Sequence, residues 1–195
     1  MNPFKRSKTP SPVLTGQVLL LIDWDNLWYS LMSRFGVGEM NIENRIQTLM
    51  DWTKESVGEL CGGHGFVFAP EHLSLLHRQI FVDRGLKLMT CTKLHLKEPR
   101  LNPKSQKMES EIDTVDETII WFAKMMVGHQ NFKTLCLVSG DNDYLPLFEE
   151  MRKLGIKRAL VAPTIDSLAK NKKFIKCVDE NPVTKKRMLL ILDKI

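Results

Sequence analysis

Val138-Ser139-Gly140-Asp141-Asn142-Asp143-Tyr144-Leu145-Pro146-Leu147-Phe148 follows an apolar run, Leu135 to Val138. The run has the length and composition of a strand buried in a parallel sheet. Ser139 and Gly140 then turn the chain and deliver two carboxylates one residue apart. In open α/β sheets ligands bind just outside the carboxyl ends of the strands, so acids placed there face a ligand crevice. A plainer role is also open. Asp141 or Asp143 would serve as an N-cap for a helix over 145–154.

Val18-Leu19-Leu20-Leu21-Ile22-Asp23-Trp24-Asp25-Asn26-Leu27 repeats the pattern: a short apolar strand, an acid, a spacer, a second acid and an amide. Two acid-tipped strands in one chain make capping a poor explanation for both. Clustered carboxylates repel unless a hard divalent cation neutralises them. Mg²⁺ or Mn²⁺ suits such oxygen ligands. Strand-tip aspartates around either ion point to phosphoryl chemistry.

The 195 residues suit a single domain, and 43% apolar content supplies a core. The net charge of +5 places this acid cluster inside a basic chain, which favours a polyanionic partner. Cys61, Cys91, Cys136 and Cys177 lack zinc spacing and read as thiols of a reducing, cytoplasmic setting. No apolar run is long enough to span a membrane, and the N-terminus lacks signal-peptide organisation.

Residues 1–16 carry three prolines and Lys5, Arg6 and Lys8, and read as a flexible basic lead-in. A globular unit over 17–178 follows, with strands at 18–22, 66–69, 86–92, 135–138 and 157–162. Helices are expected over 27–35, 42–59, 71–83, 111–127, 145–154 and from Thr164. This alternation predicts an α/β fold on a parallel sheet. Trp28, on the first helix, would stack on a base or join the core. Residues 97–110 read as an irregular loop with Lys97, Arg100, Lys104 and Lys107 placed to guide a nucleic-acid backbone. Ser139, Ser167 and Lys170, the last in a lysine run to Lys176, complete the candidate substrate contacts. The five histidines share no spacing and read as surface or capping residues. Segment 179–195 is expected to be helical, its apolar run 188–192 packing on the domain or forming an assembly surface, with a homodimer left open.

On a wheel of roughly 100° per residue, Asp116 lies about 40° from Ile112, inside the apolar arc of Val115, Ile119, Phe122, Ala123 and Met126. An inward aspartate needs a partner. Taken together, IDWDN at 22–26, TVDETI at 114–119 and VSGDNDYLPL at 138–147 resemble the NYN domain family, the PIN-like nucleases. LGIKRALVAP and IDSLAKNKKFI resemble that family's closing strand and helix. The resemblance implies a Rossmann-like three-layer sandwich around a mostly parallel sheet, and metal-dependent endonucleolytic hydrolysis of RNA in preference to DNA. It assigns Asp23, Asp116, Asp141 and Asp143 to one or two Mg²⁺ or Mn²⁺ ions, and Asn26 to orienting Asp23 or the attacking water. Two departures stand out: Asp113 replaces a frequent lysine, and Trp24 with Asp25 replaces a small spacer. Asp25 and Asp113 would recruit a second metal or tune specificity. Two alternatives stay open, a non-catalytic nucleic-acid-binding module and a haloacid-dehalogenase-type phosphatase with Asp23 as nucleophile.

Overall fold

The computed structural model describes residues 17–101, 106, 108–112, 114–129, 132–169 and 172–195. The first sixteen residues, Lys104, Lys107, Asp113 and Lys170 lie outside this set.

Six strands form one sheet: β1 (Val18–Asp23), β2 (Phe66–Pro70), β3 (Lys87–Cys91), β6 (Thr134–Val138), β7 (Lys157–Ala162) and β8 (Leu189–Ile191). Their order is β3-β2-β1-β6-β7-β8, and every pairing is parallel. Every residue of β1 and β6 is buried, which explains their unbroken apolar runs: a central parallel strand is covered on both faces. The cover comes from α1 (Trp24–Phe35), α2 (Ile42–Trp52), α3 (Glu71–Asp83), α4 (Val115–His129) and α5 (Leu145–Lys153), with α6 (Ile165–Ala169) and α7 (Lys172–Lys176) after β7. The fold is α/β with helices flanking the sheet, consistent with a Rossmann-like three-layer sandwich. On one side of β1 the chain builds outward to β2 and β3, and on the other it returns through β6. The strand order therefore reverses between β1 and β6, the position where such sheets open a crevice.

Several expectations are corrected. The first helix begins at Trp24 rather than Leu27, because Asp23 caps it directly. The helix from residue 42 ends at Trp52 and passes into a wider turn over Thr53–Val57, where Thr53 Oγ1 donates to the Leu49 carbonyl at 2.8 Å. The segment expected to be an irregular loop is, in its described part, a two-stranded antiparallel ribbon of β4 (Leu94–Leu101) and β5 (Met108–Ile112). Alternation in Leu94-His95-Leu96-Lys97 was the available signal; Pro99 is accommodated because the register shifts between His95 and Arg100. α4 consequently starts at Val115 rather than 111. Thr114 Oγ1 donates to the Thr92 carbonyl at 2.6 Å, closing the ribbon's base.

The C-terminal segment is not a helix. Asn181 Oδ1 accepts from the Val183 and Thr184 amides at 2.8 and 2.9 Å, a side-chain-closed turn that reverses the chain. Leu189–Ile191 then adds to the sheet edge beside β7. Below it Arg158, 5% exposed, holds Asp179 with two side-chain hydrogen bonds of 2.8 and 2.7 Å and one from its backbone at 2.9 Å. Burial alone would raise the Asp179 carboxyl, but the Arg158 hydrogen bonds and charge hold it below the ordinary value.

Candidate metal centre at the carboxyl edge of the sheet

Asp23 ends β1 and caps α1, its Oδ1 accepting from the Asn26 amide at 3.3 Å. Its Oδ2 accepts from Ser139 Oγ at 3.0 Å, across the β1–β6 seam. Asn26 Oδ1 accepts from the Gly140 amide at 2.8 Å, tying the two acid-tipped strands together a second time. Gly140 has a steric reason to be glycine: a Cβ there would lie 2.5 Å from the Ser167 Cβ. Asp141 accepts from the Asp143 amide at 3.0 Å, so it caps the short turn Asn142–Tyr144. Capping and clustering thus coexist, because a carboxylate has two oxygens and a cap uses one.

Asp116, Asp141 and Asp143 each offer a carboxylate oxygen lying within 4.8 Å of the others'. Asp116 arrives from the first turn of α4, whose Val115, Ile119, Phe122, Ala123 and Met126 are buried as the wheel required. Asp23 is not in this close set. It is 2% exposed and joined to Asp116 through Tyr144, whose hydroxyl lies 3.0 Å from Asp23 Oδ2 and 2.6 Å from Asp116 Oδ1. The one phenolic proton serves one of these two contacts at a time. Burial, together with the adjacent Asp25 carboxylate and the charge of Asp116, raises the Asp23 carboxyl well above its ordinary value. Burial also pushes Asp116 up to about 6, reinforced by Asp141, Asp25 and Glu117 against the lowering effect of the Tyr144 hydrogen bond. Tyr144 is itself raised, by burial and by both aspartates.

Tyr144 was not singled out from sequence. Its signal was a phenol within an acid and amide run: a fully buried tyrosine hydroxyl must find partners, and the partners here are Asp23 at the end of β1 and Asp116 on α4.

Asp25 Oδ1 is buried with no hydrogen-bond donor among the described residues, and it lies beside a second buried carboxylate. An uncompensated carboxylate oxygen at an all-oxygen cluster suits a hard divalent ion. The residues fit Mg²⁺ or Mn²⁺, held by Asp116, Asp141 and Asp143 with Asp25 and Asp23 adjoining. Asp23, Asp25, Asn26, Tyr29, Ser30, Asp116 and Asp141 line an open cleft of about 280 Å³ over the group.

The remaining candidates divide. Ser139 is fully buried and orients Asp23. Ser167 Oγ donates to the Thr164 carbonyl at 2.7 Å, a turn-stabilising bond, while its side chain lines the adjoining cleft. Trp28 packs in a ring cluster, 4.0 Å between centroids from His77 and 6.3 Å from Trp24, so it belongs to the core side. His77 is correspondingly no surface histidine: it is 5% exposed and accepts from Trp24 Nε1 at 3.1 Å. The exposed aromatic at the cleft is its neighbour Tyr29, 46% exposed, with its hydroxyl 3.2 Å from His72 Nε2. Arg100 lies on β4, opposite Glu109 in the ribbon register. The four cysteines are free thiols, and no helix among the described residues is long and apolar enough to cross a membrane.

No protein-family profile matches the chain, and no curated protein matches it in sequence. Among solved structures it is similar to a crystal structure of a Vibrio parahaemolyticus protein of unknown function, with a TM-score of 0.54, 15% identity, and coverage of 93% of this chain and 94% of that one. At that identity the likeness supports the fold alone.

Proposed function

We propose that this chain is a divalent-metal-dependent nuclease of the PIN-like type, hydrolysing phosphodiester bonds in RNA. The observation that carries the reading is the convergence of Asp116, Asp141 and Asp143 oxygens at the point where the strand order reverses. When bound there, Mg²⁺ or Mn²⁺ supplies Lewis-acid polarisation of a phosphate oxygen and an acidified water. The protein's own residues do the rest. Tyr144 holds Asp116 toward the cleft. Asn26 and Ser139 lock the β1 and β6 tips in register, which fixes Asp23 and Asp141 relative to one another. Asp143 is the exposed member of the three and would complete the carboxylate set that holds the ion.

The phosphatase alternative requires Asp23 to attack phosphorus. With 2% exposure and both oxygens accepting hydrogen bonds, Asp23 is built to position its neighbours, which favours water as nucleophile. The test is cleavage of labelled single-stranded RNA with Mn²⁺, Mg²⁺ or EDTA, beside Asp141→Asn. Cleavage that needs the metal and is lost in the variant supports the reading. Tight RNA binding without cleavage in either metal supports the binding-module alternative.

A further inference from the structure

α1 carries two stripes. Trp24, Leu27 and Leu31 are fully buried and form its core face. Asn26, Ser30, Ser33 and Arg34 recur at three- and four-residue spacing on another face. That polar stripe begins at the acid cluster and runs about 12 Å along the helix axis. It lines a second open cleft, of about 480 Å³, whose opposite wall is Thr164, Asp166 and Ser167. Tyr29 and Ser30 border both clefts, so the two adjoin along this face of α1. Ser167 fastens the junction by packing on Gly140, the residue that Asn26 holds.

We infer that this second cleft is the subsite for the nucleotide flanking the scissile phosphate, with Tyr29 as the aromatic wall against which a base stacks. The inference rests on the nuclease reading above. The chemistry of the lining is that of a nucleotide rather than of a bare anion. Arg34, exposed and 3.9 Å from the Asp193 carboxylate, presents a planar cation for a phosphate. Ser30 and Ser33 offer hydroxyls, and Asp166 offers an acceptor for sugar hydroxyls or base N–H groups. A row of cations alone would bind any polyanion, whereas an alternation of one cation, hydroxyls and one carboxylate matches phosphate, sugar and base. Tyr29 is held upright by His72 from α3 at 3.2 Å, so its ring is presented at little entropic cost. A base can reach that ring only from an unpaired strand, because duplex bases are already stacked on one another.

The test measures binding of a labelled single-stranded RNA oligonucleotide in Ca²⁺, and its cleavage in Mn²⁺, for wild type, Tyr29→Ala, Tyr29→Phe and Ser33→Glu. Tyr29→Ala is expected to weaken binding about tenfold, the loss of one stacked base, while Tyr29→Phe, which keeps the ring and loses only the His72 contact, is expected to weaken it less. Ser33→Glu, an exposed change that leaves the core untouched, is expected to weaken binding in a salt-dependent way. Wild-type binding and cleavage with Tyr29→Ala and Ser33→Glu unaffected would overturn the subsite and leave the nuclease reading standing. A folded wild type that neither binds nor cleaves would overturn the nuclease reading, and the subsite with it.

Discussion

Tyr144 is the residue on which the centre turns. It bridges two carboxylates that belong to different elements, and nothing else described links Asp23 to Asp116 so directly. Tyr144→Phe keeps the ring and removes the bridge. It is expected to cost about 1.5–3 kcal/mol in denaturant unfolding, the range for hydrogen bonds to charged groups, and to weaken Mn²⁺ binding measured by calorimetry. An unchanged Mn²⁺ affinity would remove Tyr144 from the positioning role. Gly140→Ala drives a methyl into Ser167 and is expected to cost about 1–3 kcal/mol, seen as a lower unfolding midpoint. The acid pair also sets a pH response. Asp116 is raised from 3.8 to about 6 in the folded protein, so the folded state holds more protons than the unfolded one between those values. Without added metal, that carboxyl makes stability fall as pH climbs through this window and leaves it lower above. Asp116→Asn removes this component, so the variant should gain on wild type as pH rises. A constant stability difference from pH 4 to pH 7 would contradict the assignment.

At the scale of elements, the sheet and its acid-tipped strands were legible because parallel core strands advertise themselves as continuous apolar runs. β1 and β6 are such runs, β1 ending in Asp23 and β6 leading straight into Ser139 and Gly140. Asp116 was legible for a different reason, since its place inside an apolar arc conflicts with its charge. The ribbon of β4 and β5 was hidden by Pro99 and its many charges, which outweigh a short alternating pattern. β8 was hidden because five apolar residues, Met188–Leu192, fit a helix or a strand equally; the deciding feature is the Asn181 turn, not the run itself. Tyr29 and Trp28 were indistinguishable by type, and only the angular position on α1 separates the cleft residue from the core one. Beneath β7 and β8, the Arg158–Asp179 pair anchors the closing edge. Asp179→Ala leaves a buried guanidinium without its partner and is expected to destabilise by about 3 kcal/mol in denaturant unfolding. Because Asp179 is depressed in the folded state, its contribution is present above the ordinary carboxylate range and is lost as pH falls through the folded value. Wild type and the variant should therefore converge in acid. A difference that persists to the lowest pH at which both fold would show that packing, not the ion pair, carries the effect.

The whole molecule joins a basic chain to an acidic centre. On the proposed nuclease reading, a net charge of +5 would favour a polyanion, and the carboxylates at the switch point would repel it without a cation between. RNA affinity is accordingly expected to fall with salt through counterion release and to rise on adding a divalent ion at constant ionic strength. A titration in which divalent ions merely weaken binding, as added salt does, would mean the acid cluster takes no part in holding the strand. Asp116, Asp141 and Asp143 together are expected to hold a divalent cation. The most direct measurement is anomalous diffraction from crystals of the protein soaked in Mn²⁺, wild type beside Asp141→Asn. A manganese peak bounded by those three carboxylates in wild type, absent in the variant, is the expected result. A wild-type crystal with manganese bound elsewhere and none between the three aspartates would contradict it.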